Sequence, residues 1–388
     1  MKTDDLYRVR DAAYKLECYP RFGEVAMRAW SSADICLVET AANAAGRNKP
    51  LKILVLNDAF GALSVPFHDH HTTVVVDSFL SQMAIRRNLK LNGLAPESLV
   101  FASSVQELED KYDILLMGIH PSKAMFEYQL RHVRNALSQK CQIFAAAMSK
   151  NVDSALYTIF QRTLGPTMVL PTSQKTKLFQ IELDMETRQN GAELRFSSYK
   201  TFVADTEIEV ASGPGVFSAD HLDAGARMIV EHLPQHMDAE APLAVGDLGC
   251  GAGVLGAAAL TINPNATAIL ADDSRMALFS AKETFARNDI DLGRAKFRLA
   301  NGWDGTPDGS LDLVLCNLPA DVDATHTPRL ALQFLRQSHK VLKPGGKLLL
   351  AMRDGLRVSG AIAELFPSPV RLDHDEETSV VLATKPAK

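Results

Sequence analysis

The sequence predicts an α/β protein with two successive domains, each built on a parallel sheet that is covered by helices on both faces. Its 388 residues exceed the roughly 250 to 300 residues that a single hydrophobic core reaches. In the second half, short apolar strands alternate with helical segments, a pattern typical of parallel sheets. A fainter series of the same segments lies 190 to 199 residues earlier, which indicates a duplication. We therefore predict domains over residues 1–172 and 211–388, with a linker over 173–210.

The composition favours a water-soluble protein of a reducing compartment. Hydrophobic residues make up 46% and charged residues 22% of the chain, and the apolar runs are shorter than the roughly 20 residues of a membrane span. The polar N-terminus shows no secretion signal. Five scattered cysteines without a C-x-x-C pair argue against a disulfide framework. We expect a cytoplasmic protein that does not contact membranes.

The charge distribution differs between the two halves. The net charge of −5 argues against a protein that coats nucleic acid by charge alone. Residues 1–200 carry 24 Lys and Arg against 21 Asp and Glu, whereas residues 201–388 carry 17 against 25. A polyanionic partner is therefore expected to bind the first half.

A glycine-rich turn follows the first strand of the second half. Asp247 precedes glycines at 249, 251 and 253, and an Ala-rich helix follows over 254–260. Gly249, Gly251 and Gly253 allow backbone dihedrals and close ligand approach that a Cβ atom would prevent. Dinucleotide-binding proteins use a similar turn, but an acid ahead of the glycines suits a ligand that carries an ammonium group. This order favours S-adenosylmethionine.

Two polar residues follow at the ends of the next strands. Asp272 ends the apolar run 268–272, where a carboxylate can accept both ribose hydroxyls of a nucleoside. The alternative for Asp272 is a helix cap. Asn301 follows a further strand and is placed to reach an adenine edge; the alternative there is a plain turn.

The remaining segments complete a parallel sheet. Residues 311–317 form a buried strand, and 341–350 contain a helix end, a Pro-Gly-Gly turn and a returning strand. Ligands of such sheets bind at the carboxyl ends of the strands, where all the polar residues above fall. In this order the second half resembles the Rossmann-like class I methyltransferases.

The first half repeats the series with altered residues. Three pairs of positions correspond in order: Asn57 with Asp247, Asp77 with Asp272, and Asp113 with Asp312. On this alignment Ala59 and Leu63 stand where the second half has Gly249 and Gly253. We therefore predict that the first domain is a degenerate methyltransferase-like domain that binds no cofactor and serves as a substrate platform.

The linker is predicted to contain a β-hairpin. Residues 175–184 and 192–201 alternate between apolar and polar side chains, and Gln189-Asn190-Gly191 separates them. Asn-Gly is a favoured hairpin turn. Gly213-Pro214-Gly215 then interrupts the chain before the second domain.

Segments outside these general motifs carry a narrower resemblance; they are residues 56–64, 77–78, 87–93, 163–167 and 216–227. Through them the whole chain resembles the bacterial ribosomal RNA guanine-N2 methyltransferases, above all those of the large-subunit rRNA, with the small-subunit enzyme more distant. The resemblance implies S-adenosyl-L-methionine as cofactor and a segment with Phe217, Asp223 and Gly225 that closes over it. From the residues alone, Phe217 could equally pack in the core and Asp223 cap a helix.

The resemblance breaks at the end of the fourth strand. Members of the family carry Asn-Pro-Pro-aromatic there, so that the Asn oxygen and the next carbonyl hold the amine hydrogens while the ring stacks on the base. This chain reads Asn317-Leu318-Pro319-Ala320. We expect Asn317, the Leu318 carbonyl and Pro319 to form the catalytic site, although Ala320 offers no stacking surface.

Three functions stay open on these residues. The first is methyl transfer to a guanine amine of ribosomal RNA, with Trp303 or Phe217 supplying the missing ring. The second is S-adenosylmethionine-dependent methylation of a small molecule other than rRNA. The third, a non-catalytic RNA-binding protein, conflicts with the retained Asp247, Asp272 and glycines.

The partners follow from the same features. We expect ribosomal RNA to bind basic residues of the first domain, unless these are only solvated helix faces; they are Arg86, Arg87, Lys90, Arg131 and Arg134. His68-Asp-His-His71 lacks regular ligand spacing, so a polar loop is favoured over a metal site. The internal duplication makes a monomer plausible.

Overall fold

The computed structural model describes residues 6–20, 28–46, 50–172, 175–186, 193–318, 327–356 and 358–387. The chain divides into two compact units, Met1–Leu194 and Arg195–Lys388. Each unit is an α/β fold with a seven-stranded sheet. The predicted fold class, two tandem Rossmann-like domains, is therefore confirmed.

The first unit begins with a short hairpin that is followed by alternating strands and helices. In chain order its elements are β1 (Tyr7–Val9), β2 (Ala12–Tyr14), α1 (Ser32–Ala45), β3 (Lys52–Leu56), β4 (His71–Val75), α2 (Phe79–Leu91), β5 (Leu99–Ala102), β6 (Tyr112–Gly118), α3 (Lys123–Arg134), β7 (Leu137–Met148), α4 (Ser154–Thr163), β8 (Thr167–Leu170) and β9 (Thr176–Ile181). The sheet order is β5-β4-β3-β6-β7-β9-β8. Ile53 and Leu54 belong to different buried clusters, since both faces of a parallel sheet are covered.

The second unit repeats this plan. Its elements are β10 (Ser197–Val203), β11 (Thr206–Ser212), α5 (Ala224–His236), β12 (Ala244–Leu248), α6 (Val254–Ile262), β13 (Thr267–Asp272), α7 (Arg275–Arg287), β14 (Ala295–Leu299), β15 (Leu311–Asn317), α8 (Thr327–Val341), β16 (Leu342–Arg353), α9 (Ser359–Leu365), β17 (Val370–His374) and β18 (Thr378–Thr384). The sheet order β14-β13-β12-β15-β16-β18-β17 matches that of the first unit strand for strand. In both sheets the strand order reverses beside the central strand, which is where ligands bind in such folds.

The same side-chain bonds recur in both units and fix their alignment. The amide of Lys52 donates to Asp113 Oδ2 over 3.0 Å, and the amide of Ala244 donates to Asp312 Oδ2 over 2.9 Å. After the strand, the amide of Asn57 donates to the Val75 carbonyl, as that of Gly249 does to Ala271. Position 52 therefore corresponds to 244, and Asn57 corresponds to Gly249.

This register corrects two of the three predicted correspondences. Val55, rather than Asn57, is the residue of the first unit that corresponds to Asp247. Likewise Val76, rather than Asp77, corresponds to Asp272. Leu63 does not occupy the third glycine position, because Gly61 stands there. The sequence alignment matched side-chain type, whereas the duplicated units share backbone conformation. The pairing of Asp113 with Asp312 is confirmed.

The predicted pairing of the linker strands is wrong. Residues 176–181 form β9, which inserts between β7 and β8 of the first sheet, and residues 197–203 form β10, which pairs with β11. The Gln189-Asn190-Gly191 turn signal lies outside the described residues. Asn288 binds both backbone groups of Glu209 in β11, as Asn92 binds those of Lys15 beside β2. The β10–β11 hairpin is thus the counterpart of β1–β2.

Candidate functional site

The glycine turn joins β12 to α6 at the centre of the second sheet. Gly249, Gly251 and Gly253 have φ values of 67°, 50° and 78°, which side chains rarely adopt. A Cβ atom on Gly249 would meet nothing within 4 Å, and one on Gly251 only a Val216 methyl at 4.0 Å. A Cβ on Gly253 would lie 2.7 Å from Ala281 Cβ. The first two glycines therefore border open space, and the third allows close helix packing.

Asp247 lies beneath this turn. Its side chain is buried, and Oδ2 accepts a 2.9 Å hydrogen bond from the Gly256 amide. Burial raises the pKa of Asp247 to about 7; the Gly256 bond opposes this shift and the nearby Asp272 carboxylate adds to it. A cationic ligand at this site would favour the ionised carboxylate.

Asp272, at the end of β13, ties two segments together. Its Oδ2 accepts from the Gly251 amide and its Oδ1 from the Ser274 amide, both over 2.9 Å. The side chain that caps α7 is Ser274, which accepts from the Ala277 amide. The half-buried carboxylate thus holds the glycine turn against the adjacent strand end.

Asn301 is attached to α8. Its Oδ1 accepts a 2.8 Å bond from Gln333 Nε2, and its carbonyl accepts from Gln337 Nε2 over 3.2 Å. Trp303, two residues later, is 2% exposed and donates to Ser338 Oγ within the core. Its ring packs against Gly246. Trp303 therefore cannot stack on a substrate base, which removes one of the two replacements for the missing ring.

Phe217 follows Val216, whose side chain lies near the glycine turn. Its side chain is 58% exposed, while the neighbouring Val216 is buried against Gly251. Core packing, the alternative for Phe217, is excluded by this exposure. An exposed ring beside the turn suits a segment that covers a ligand, and this role stays a prediction.

Asn317 and Asp223 meet through a contact that the sequence did not indicate. The Asn317 side chain, at the end of β15, donates from Nδ2 to Asp223 Oδ1 over 2.8 Å. The same Asp223 oxygen accepts from the amides of Gly225 and Ala226 over 3.1 and 3.2 Å and so caps α5. The two residues are 94 positions apart, and no local pattern relates them.

Leu318 serves the core rather than the pocket. Its side chain is 6% exposed within the apolar cluster beside β15 and β16, and its amide donates to the Ala351 carbonyl over 3.0 Å. The change from the first proline of the motif to leucine is therefore accommodated inside the protein. Pro319 and Ala320 lie outside the described residues.

Comparison with known proteins identifies the family. Two family models match: the RLMG N-terminal domain over residues 5–185 and the methyltransferase small domain over 207–381. Ribosomal RNA large subunit methyltransferase G of Pseudoalteromonas atlantica is 32% identical over 99% of this chain and 100% of its own length. The same protein of Yersinia enterocolitica is 31% identical over 97% of this chain and 93% of its own. The chain belongs to this methyltransferase G family.

A solved structure is similar in fold to nearly the whole of this chain. It is the T. thermophilus 16S rRNA N2 methyltransferase RsmC in complex with AdoMet and guanosine, with a TM-score of 0.77 at 18% identity, covering 98% of this chain and 97% of its own. With the family models, it shows an S-adenosylmethionine-dependent methyltransferase. The predicted family, enzyme class and cofactor are confirmed.

The residues of the second unit fit this cofactor. The open space beside Gly249 and Gly251 lets a ligand approach the backbone of the turn, and the buried Asp247 carboxylate lies beneath it. Asp272 presents a second carboxylate at the neighbouring strand end. Cys250 and Cys316 are buried, and burial raises the pKa of both thiols. Neither is therefore a nucleophile at neutral pH.

The basic residues predicted to bind RNA differ in what their side chains contact. Arg134 is buried and donates to the carbonyls of Thr163 and Leu164 over 3.0 Å each, so it stabilises the fold and is removed from the predicted RNA contacts. Arg131 pairs with Glu127, and Arg87 lies 3.8 Å from Glu17. Arg86 stacks over the Phe101 ring at 4.6 Å.

Neither a membrane-spanning helix nor a metal cluster occurs among the described residues. No helix in that part of the chain is long and apolar enough to cross a membrane. The same residues contain no group of three or more His, Cys, Asp or Glu side chains arranged to hold a metal ion. In the His68–His71 segment, His70 Nδ1 accepts a 3.1 Å bond from the Leu51 amide, which gives that imidazole a structural role.

Proposed function

We propose that the chain transfers a methyl group from S-adenosylmethionine to the exocyclic N2 amine of a guanine in ribosomal RNA. The observation that carries the proposal is Asn317, whose carboxamide lies at the end of β15, beside the strand that leads into the glycine turn. The names of the relatives and of the RsmC structure support the same substrate. Asn317 offers an acceptor for an amine hydrogen there.

The chemistry requires such an acceptor because an exocyclic amine is a poor nucleophile. Its lone pair is delocalised into the ring, and hydrogen bonds to Asn317 Oδ1 and the Leu318 carbonyl would draw the nitrogen toward sp³ geometry. S-Adenosylmethionine, held by the residues of the second unit, would supply the methyl group from its positively charged sulfur, which would keep the electron pair of the carbon–sulfur bond as the nitrogen takes the methyl group. The extra amine proton leaves to water, so catalysis is mainly positioning.

Three parts of the second unit would hold the cofactor. Asp247 would face the ammonium group, the glycine turn would lie along the methionine chain, and Asp272 would accept the ribose hydroxyls. Asn301 would contact the adenine edge, and Phe217 would cover the site from its rim. Gly249 and Gly251 provide the space this arrangement needs, and Gly253 allows close packing against Ala281 of α7.

The first unit is proposed to bind RNA without cofactor. Valines replace both acids, at positions 55 and 76, and its charge balance is more positive than that of the second half. We propose the first unit as this platform and the second unit as the catalytic domain. The predicted linker over residues 173–210 is not a separate segment, because β9 belongs to the first sheet and β10 pairs with β11 in the second unit. Arg86 and Lys90 on α2 are the proposed RNA contacts.

The test is transfer of labelled methyl to ribosomal RNA from cells that lack this protein. The wild-type chain is expected to label large-subunit rRNA, with the label recovered as N2-methylguanine. The Asn317→Ala variant should lose transfer while keeping cofactor affinity by calorimetry. Cofactor binding without transfer to any rRNA would reject this substrate and favour the small-molecule alternative, and absence of cofactor binding would favour the non-catalytic one.

A further inference from the structure

We propose that Asp223 is a positioning residue that fixes the orientation of the Asn317 carboxamide, so that its oxygen rather than its nitrogen is presented to the substrate. The inference rests on the proposed function, because it assigns Asn317 as the acceptor of the amine. It gives Asp223 a task separate from covering the cofactor. The chemical group that the site then selects is a hydrogen-bond donor.

The geometry leaves one orientation for the carboxamide. Asp223 Oδ1 already accepts from two backbone amides of α5, and Asn317 Nδ2 is its third donor at 2.8 Å. A carboxylate oxygen is only an acceptor. Turning the carboxamide by 180° would replace a charge-assisted N–H···O bond by contact between two oxygens. Asp223 therefore holds the nitrogen and directs Oδ1 away from itself.

The first turn of α5 restricts the carboxamide from a second side. A Cβ atom on Gly225 would lie 2.4 Å from Asn317 Oδ1 and 3.0 Å from Ala351 Cβ. Gly225 lies inside the helix, without the positive φ that would demand glycine. Space for Asn317 is therefore the reason for glycine at this position.

The consequence is selection of a hydrogen-bond donor. An Asn side chain that can rotate offers either an N–H donor or an oxygen acceptor, and in half of its orientations it would repel an amine. With Asp223 in place, the site presents an acceptor before the substrate arrives. Preorganisation of this kind lowers the barrier to transfer without changing cofactor affinity.

The matched variants are Asp223→Ser and Asp223→Asn. Serine caps helices as well as aspartate does, but its side chain is too short to reach Asn317. Asparagine keeps an oxygen for both the cap and Asn317. We expect Asp223→Ser to slow single-turnover transfer to rRNA about 10- to 100-fold at saturating cofactor, with a cofactor Kd within twofold of wild type. Asp223→Asn should restore most of the rate.

The control is Asp153→Ser, since Asp153 caps α4 in the first unit by the same side-chain bond. That variant should keep the wild-type transfer rate. A rate for Asp223→Ser within twofold of wild type, in a preparation where Asn317→Ala is inactive, would overturn the proposal. Equal loss in Asp223→Asn and Asp223→Ser would overturn it too.

A second measurement separates this inference from the proposed substrate. The unfolding free energies of Asp223→Ser, Asn317→Ala and the double variant form a cycle that needs no substrate. Non-additive losses support the Asp223–Asn317 bond even if wild type transfers nothing to rRNA, and then only the substrate is wrong. Additive losses show that the bond does not hold the side chain, which rejects the positioning role.

Discussion

The turns that follow β3 and β12 share a backbone path but differ in what fills them. Asn57 and Gly249 both have a left-handed φ, 58° and 67°. The Asn57 side chain exchanges hydrogen bonds with the buried Gln129 and donates to the Gly118 carbonyl, whereas a Cβ at Gly249 would meet open space. The first unit therefore fills with its own carboxamide the space that the second leaves for a ligand.

The residue that follows Asn57 also makes internal hydrogen bonds that its counterpart after Gly249 does not make. Asp58 is buried, and its carboxylate accepts from the amides of Gly61, Leu63 and Ser64. Its counterpart in the second unit is the small, buried Cys250. In the first unit, the backbone amides of the turn after β3 therefore donate to a side chain of that same turn. If the first unit binds no cofactor, as proposed, a few side chains at one turn account for the difference, because the sheet around them stays the same.

The largest expected effect comes from placing the first unit's side chain in the second, as Gly249→Asn. Asparagine tolerates a left-handed φ, so the chain should fold, but the carboxamide would occupy the ligand space. We expect cofactor affinity by calorimetry to fall at least about 100-fold, or about 2.8 kcal/mol. The reverse change, Asn57→Gly, should leave that affinity within twofold. A comparable loss in both variants would contradict the assignment of the cofactor site to the second unit.

The second prediction concerns Asp58→Ala, which would leave several buried amides of the first turn without an acceptor. We expect the unfolding free energy of the first unit to fall by about 2 to 3 kcal/mol, measured by urea denaturation. Cysteine carries no such bonds, so Cys250→Ala should cost only about 1 kcal/mol. Loss of cofactor binding in Asp58→Ala would contradict the separation of the two turns.

The third prediction follows from Asp247, whose counterpart Val55 cannot titrate. With a pKa of about 7, Asp247 is protonated in the empty protein below neutrality, and an ammonium ligand must displace that proton. Cofactor affinity should therefore fall by up to about tenfold per pH unit as the pH drops below 7. For the same reason, the stability of the ligand-free chain should decline as the pH rises from about 4 to 7. Calorimetry on Asp247→Asn should show a much flatter pH profile.

The smallest effect is expected at the helix that follows the second strand of each sheet. Arg86 stacks on Phe101 at 4.6 Å, and its counterpart Lys282 lies 5.5 Å from the Phe297 ring. If only the first unit binds RNA, Arg86→Gln should weaken rRNA binding about threefold and reduce its salt dependence. Lys282→Gln should change neither quantity in a filter-binding titration. Equal effects would place RNA on both units.

The sequence predicted the elements that depend on local pattern. Alternating apolar strands and helices gave both sheets, and the spacing of Asp247 and Asp272 gave the strand ends. The hairpin prediction failed because β9 gains two sheet neighbours, β7 and β8, which a local Asn-Gly signal cannot report. Likewise, Asn57 was matched to Asp247 by polarity, although its left-handed backbone makes it the equivalent of a glycine.

Site geometry was harder to predict than fold. The contact between Asn317 and Asp223 joins residues 94 positions apart, and it depends on the angle at which α5 meets the end of β15. The exclusion of Trp303 depends on its burial between Gly246 and Ser338. Such contacts depend on packing in three dimensions, and the order of residues alone does not determine them.

The stretch from Val216 to Asp223 contacts two parts of the site at once. Val216 lies against the glycine turn, and Asp223 holds Asn317. A shift of this stretch when one ligand binds would therefore change the surface met by the other. Coupling of this kind is reciprocal, so whatever factor the cofactor adds to RNA affinity, RNA adds to cofactor affinity. Eight consecutive residues would then suffice to make the two substrates bind cooperatively.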